Sequence, residues 1–323
     1  MLDLPTQFEL EPVVIPRDQM IAFAECFDPQ PFHVNEAAAA DTLLGGLAAS
    51  AWYVCAKISE ALRAELCKRC LKAEIGGSDQ IILFSPIRAD DVLTSTVRLE
   101  PVRSCACGGH GADISVNVVR SGSGCVARMA FNFVMSDDDR PRSEDAAVCS
   151  YRKGRMAKSA LRRRIHDIPF FEQIEIGDEI YLGRYTFGPT ENEEFIVRTS
   201  GGGAGAYHDR SSCSVPAWHV PAAWMQCMVR RYNTMTAKHR MRMRPFPRLG
   251  PAAGFKQLRW HRSVGIGEVI AFRGWAERKL IIPSQRDWGL LVVGAEGIDS
   301  QGNAVMSFYP QMLLERAVRH RSS

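Results

Sequence analysis

The chain carries the same segment twice, and this repeat constrains its fold more than any other feature. Residues 77–93 (GSDQIILFSPIRADDVL) align without a gap on residues 254–270 (GFKQLRWHRSVGIGEVI), at an offset of 177. Gly, Gln and Val coincide, and Ile81, Leu83 and Ile87 meet the apolar Leu258, Trp260 and Val264. Residues 124–131 face residues 302–309 at offset 178, and Pro16 with Asp18 faces Pro189 with Glu191 at offset 173. Three fragments at nearly one spacing predict two copies of one structural unit.

Each copy opens on a short extended piece, passes through a helical region and ends in strands. In the first copy, residues 35–40 read as an alanine-rich helix capped by Asn35, and residues 47–66 as a long helix opening after Gly45-Gly46. β-Branched residues and alternation place strands at 81–84, 92–99, 114–119 and 126–134, with glycine turns between them. The second copy predicts a long helix over 217–233 and strands near 257–260, 268–276, 289–296 and 304–314. One long helix with mostly antiparallel strands is an α+β arrangement, the sheet wrapping the helix. The predicted division is a first unit at 1–136, a charged linker at 137–167 and a second unit at 168–323. That linker starts acidic (Asp137, Asp138, Asp139) and turns basic (Arg152, Lys153, Arg155, Lys158, Arg162, Arg163, Arg164).

Composition removes several function classes. Hydrophobic residues at 46% and charged residues at 24% fit a globular chain with a core. A net charge of +4 is no concentrated basic footprint, so nucleic acid is not an expected partner. The first twelve residues carry Asp3, Glu9 and Glu11 and no basic residue, which does not read as a secretory signal. The uncharged stretch 42–56 falls short of the ~20 apolar residues of a membrane span. Ten cysteines then predict reduced thiols in the cytoplasm. Cys67 with Cys70, and Cys105 with Cys107 near His110, invite a zinc reading. Neither pair completes the four-ligand pattern of a structural site, and no metal is expected.

The densest chemistry lies in residues 23–53, FAECFDPQPFHVNEAAAADTLLGGLAASAWY. His33 follows Asp28 by five positions, with Pro29 and Pro31 stiffening the backbone between them. The plain reading is a turn carboxylate and a satisfied histidine. The block resembles, however, the signature of the MaoC-like acyl dehydratases and (R)-specific enoyl-CoA hydratases. In that signature a histidine stands five residues after an acid, and Leu44-Gly45-Gly46-Leu47-Ala48-Ala49-Ser50 matches the stretch that opens their central helix. Extended by residues 249–269, the resemblance spans nearly the whole chain.

The resemblance implies a double hot-dog fold: two tandem hot-dog units packed as a pseudo-dimer, sheets joined and helices on the outer wrap. It implies reversible hydration of a 2-enoyl thioester, or dehydration of the 3-hydroxyacyl thioester, with coenzyme A entering only as part of the substrate and no cofactor besides. Asp28 and His33 would be the acid/base pair. Gly45, Gly46 and Leu47 at the helix start would hold the thioester oxygen, with Gln30 and Ser50 also touching substrate. Phe27, Gln30, Ala51 and Tyr53 depart from the commonest pattern and are expected to reshape the acyl pocket.

The second copy lacks the block. Its counterpart, TSGGGAGAYHDRSSCSVPAWHVPAAW, places His208-Asp209 and His219 at other spacings. Pro216 and Pro221 are expected to disturb the helix start there and, beside Trp224, to make room for the acyl group. One site per chain follows. Arg240, Arg242 and Arg244 offer forks suited to the phosphates of coenzyme A, against the competing reading of a solvated loop. Because fold does not fix function, a hot-dog thioesterase and a non-catalytic acyl-CoA-binding subunit stay open as alternatives. A homodimer of pseudo-dimers stays open too.

Overall fold

A computed structural model describes residues 5–68, 72–104, 110–136, 162–200 and 213–317. Cys70, Cys105, Cys107 and the basic residues Arg152, Lys153, Arg155 and Lys158 lie outside the described residues. In the first copy β1 (Gln7–Val14) leads into α1 (Arg17–Phe27), then the short α2 (Pro31–Val34) and α3 (Glu36–Ala40), then the long α4 (Ala51–Lys68). Strands β2 (Lys72–Leu83), β3 (Val92–Ser104), β4 (His110–Arg120) and β5 (Gly124–Ser136) complete it. The second copy begins with a two-residue strand β6 (Arg163–Arg164) and β7 (Asp178–Thr186), followed by α5 (Pro189–Ser200) and α6 (His219–Met241). It closes with β8 (Leu249–Trp260), β9 (Val269–Ile281), β10 (Trp288–Ile298) and β11 (Ala304–Glu315).

The repeat in the sequence is a repeat in space. β2 and β8 begin and end 177 positions apart (72 against 249, 83 against 260), and so do β3 and β9. All the strands join in one sheet of order β1-β3-β4-β5-β2-β8-β11-β10-β9-β7-β6, so that β2-β5-β4-β3-β1 is mirrored outward from the centre by β8-β11-β10-β9-β7. The pseudo-twofold runs between β2 and β8, which pair antiparallel from Gly77 opposite Arg259 to Ile82 opposite Gly254. At this seam the backbones come close. Gly254 has φ +140°, and a Cβ there would overlap the Ile81 carbonyl oxygen. Beside it the buried Arg259 donates to the Ser78 carbonyl and pairs with Asp79.

Each predicted strand is present and longer than the alternation alone marks. β2 starts nine residues before Ile81, because β5 pairs with Lys72 to Ile75 and β8 joins from Gly77 on, and backbone groups pair whatever the side chains are. α4 begins at Ala51 rather than residue 47. The amides of Ala48 and Ala49 donate instead to Phe32 O and Ile87 O, which draws residues 47–50 off the helix axis.

The expectation of helices on the outer wrap is corrected. His219 to Met225 of α6 are buried on every side, as their apolar composition requires. The long helices lie inside the sheet, and α1 packs on α5 and α6 across the pseudo-twofold. Pro221 does not disturb α6 either; it sits in the first turn, where its missing N–H would have no intrahelical partner. The end of the expected linker belongs to the second unit, since Arg163 pairs with Asp178 and the Ile165 amide donates to Glu179 O.

Candidate active site

Asp28 caps the end of α1, its amide donating to Ala24 O at 2.8 Å, which turns the chain out of the helix. Pro31 starts α2 at a position that needs no N–H, and one turn carries His33 back toward Asp28. Their side chains converge: His33 Nε2 lies 3.4 Å from Asp28 Oδ2. Both residues are buried, Asp28 at 2% and His33 at 7% exposure.

Each group is held from behind. His33 Nδ1 lies 2.7 Å from the Ala48 carbonyl oxygen, an acceptor only, so Nδ1 carries the proton and Nε2 faces the carboxylate. Asp28 Oδ1 accepts from Gln30 Nε2 at 2.8 Å, and Oδ2 accepts from Ser50 Oγ at 2.7 Å. Ser50 precedes α4 and accepts from the Trp52 amide at 3.3 Å, so one hydroxyl both caps the helix and orients the carboxylate. Arg88 donates to the Leu44 and Leu47 carbonyls, pinning the loop whose Ala48 carbonyl holds His33.

The pair opens onto a cleft of about 1110 Å³, part of it in contact with solvent. Its walls are apolar apart from Asp28, Gln30, His33 and Ser85, and they come from both copies: Phe32, Ala49 and Trp52 from the first, Met225, Phe255 and Met312 from the second. Trp52 stacks on Phe255 at 4.8 Å, closing the cleft across the seam.

The glycine expectation needs correction at this point. The Gly45 amide donates to Thr42 O and the Gly46 amide to Ala39 O, both at 3.0 Å, while the Leu47 amide bonds Glu36. The helix starts at Ala51, a residue of the cleft wall, whose amide belongs to the first turn and has no described partner. Sequence reasoning took the glycines as the helix start and so missed Ala51. Its signal was the Ser50 cap.

The whole chain superposes on solved structures of the same architecture. A MaoC domain protein dehydratase from Chloroflexus aurantiacus matches with TM-score 0.67 over 98% of this chain and 97% of its own, at 14% identity. A conserved hypothetical protein from Mycobacterium tuberculosis, described as having a double hotdog fold, matches at 0.64 over 97% of each chain and 12% identity. The chain is a double hot-dog. A further MaoC-like dehydratase matches at TM-score 0.60 over 97% of this chain and 98% of its own, at 17% identity. No protein-family model and no curated protein matches the sequence.

The two halves of this double hot-dog differ where chemistry would sit. The position before the long helix is Ser50 in the first copy and Trp218 in the second. The Trp218 indole is packed instead, against Trp260 and Phe131, and donates to Ser59 Oγ of the first copy at 2.9 Å. His208 and Asp209 lie outside the described residues. His219 is fully buried among Phe27, Phe187 and Phe195, shares a hydrogen bond with Tyr185 and reaches no cleft; burial pushes it down to about 3.

Trp224 does not line the cleft. It faces a second, apolar pocket of the second copy that is partly open to solvent, and Met225 lines the cleft instead. Arg240, Arg242 and Arg244 do not reach the cleft either. Arg240 lies fifteen residues past Met225, about 22 Å along α6. Among the described residues no three His, Cys, Asp or Glu side chains are arranged to hold a metal, and no helix is long and apolar enough to cross a membrane.

Proposed function

We propose that the chain adds water reversibly across the double bond of a 2-enoyl thioester, with coenzyme A as the thiol carrier. The observation that carries this reading is the approach of Asp28 Oδ2 and His33 Nε2 to 3.4 Å at the wall of an otherwise apolar cleft. One water can hydrogen-bond to both groups. As its oxygen bonds to C3 of the substrate, one of the pair takes a proton from the water; that same proton, held by or passed between Asp28 Oδ2 and His33 Nε2, is then delivered to C2, so the pair ends as it began, and dehydration reverses these steps. With Nδ1–H tied to Ala48 O, Nε2 is the imidazole atom left to exchange a proton. Between the two transfers the thioester oxygen carries negative charge. The Ala51 amide, at the positive end of the α4 dipole, is the donor we assign to it. Four apolar residues of the second copy, Met225, Ala252, Phe255 and Met312, supply wall for the acyl chain. The described cysteines are free thiols, which fits a reaction of fatty acyl metabolism in the cytoplasm.

The test is loss of enoyl absorbance from crotonyl-CoA. Asp28→Asn and His33→Ala should each lower turnover by ~10²–10⁴ with thermal unfolding unchanged. A wild-type rate in either variant overturns the assignment. Release of free thiol with the double bond intact would mean a thioesterase.

A further inference from the structure

Positive charge is gathered in one place on this chain. No Asp or Glu stands between Asp209 and Glu268, and Lys238, Arg240, Arg242, Arg244 and Arg248 put five positive charges into eleven residues, more than the whole chain's net +4. α6 ends inside this segment. Met243 follows the Arg242 cap with φ +51°, the left-handed position that a helix end normally gives to glycine. The turn is not frayed: the Met243 amide donates to Arg240 O at 3.0 Å and the Arg244 amide to His239 O at 2.9 Å. It is also braced from inside, Phe246 packing on His239 and on Tyr232, whose hydroxyl donates to Pro247 O. Met243 is nevertheless 94% exposed and Met241 84%, the highest values among the large apolar residues described. Lys238, Arg240, Arg242 and Arg244 around them are exposed, and none makes an ion pair among the described residues. Glycine would relax the backbone at 243, and a polar side chain would suit the exposure at 241 better, so neither methionine is there for the fold.

We propose that this turn docks the chain on an anionic phospholipid bilayer, Met241 and Met243 entering the boundary between headgroups and acyl chains and the four cations meeting lipid phosphates. Side chains this exposed project from the surface and offer a partner no pocket. A bilayer asks for none: unbranched apolar chains dip into it while guanidinium groups stay at the level of the phosphates. Each cation near an anionic leaflet adds attraction, and four on one turn pull in the same direction. Nucleic acid would engage the cations and leave both methionines without an occupant. Docking at this turn leaves the cleft free, since Arg240 lies about 22 Å along α6 from Met225, and it does not depend on which reaction the cleft performs.

The experiment is co-sedimentation of the full chain with vesicles of phosphatidylcholine containing about 30 mol% phosphatidylglycerol, set against vesicles of phosphatidylcholine alone. The unmodified chain should partition about tenfold or more in favour of the anionic vesicles. A variant carrying Met241→Gln and Met243→Gly should bind them about tenfold more weakly, and one carrying Arg240→Gln, Arg242→Gln and Arg244→Gln about a hundredfold more weakly. The methionine variant should keep or raise the thermal midpoint, because glycine suits φ +51°, so lost docking is told apart from a lost fold. Equal binding to the two kinds of vesicle overturns the proposal, and so does undiminished binding by the methionine variant. Binding of a duplex oligonucleotide that the methionine variant retains in full, with no binding to vesicles, would assign the cations to nucleic acid instead.

Discussion

A single hydroxyl joins helix and chemistry at Ser50. It donates to Asp28 Oδ2 at 2.7 Å and accepts from the Trp52 amide at 3.3 Å. Ser50→Ala should cost about 1 kcal/mol of stability from the lost cap. It should also lower kcat about tenfold, or about 1.4 kcal/mol in the barrier, through a carboxylate free to turn away from His33. Ser50→Thr keeps both bonds and should restore most of the rate; steady-state kinetics of the two variants check this. His219 presents the opposite case, a histidine with structure but no chemistry. Burial lowers it from its ordinary value near 6.5 to about 3, so the unfolded chain takes up the proton first as pH falls. Stability linked to this residue is therefore whole above pH ~6.5 and declines toward pH ~3, by about 1.4 kcal/mol per pH unit. In urea titrations at pH 7, 6 and 5, His219→Phe should remove that slope and leave kcat nearly unchanged. A slope equal to the wild type's would show that other groups set the acid limit.

Among the elements, the β2–β8 ladder makes two hot-dogs into one sheet. The register at Gly254 depends on a conformation that L side chains rarely adopt and on contact with the Ile81 carbonyl. Gly254→Ala should cost about 2–4 kcal/mol and lower the thermal midpoint, because strain and overlap fall on one residue. Gly302→Ala is a fitting control, since φ there is +86° but nothing lies within 4 Å of a Cβ. The difference between the two midpoints isolates the overlap. The helix starts show how local context overrides pattern. Residues 47–50 have the composition of a helix and do not form one, the Ala48 and Ala49 amides being claimed by the Phe32 and Ile87 carbonyls.

Over the whole molecule, the cleft belongs to neither copy alone. Met225 and Met312 of the second copy face Asp28 and His33 of the first. Met225→Trp should therefore raise KM for an octenoyl thioester about tenfold over crotonyl, with kcat on crotonyl close to the wild type's. Trp224→Ala should not discriminate by chain length in the cleft, since its ring faces the second pocket. Equal effects of Met225→Trp on both substrates would place the acyl chain elsewhere. Besides the missing acid-to-histidine block, the copies differ at the position before the long helix: Ser50 there holds the Asp28 carboxylate, whereas Trp218 packs its indole against Trp260.

The sequence by itself determined the repeat, the α+β class and the eight main strands, because periodic burial and a constant offset are written in the order of residues. It also brought Asp28 and His33 together on paper, since five positions with two prolines are a local arrangement. What only the tertiary structure decided depends on partners far along the chain. The glycines lost their amides to Thr42 and Ala39, the arginine cluster was carried off along α6, and Met225 rather than Trp224 came to the cleft. Hydrogen-bond competition and the direction of a side chain around a helix are settled by neighbours in space, and one strand of sequence does not contain them.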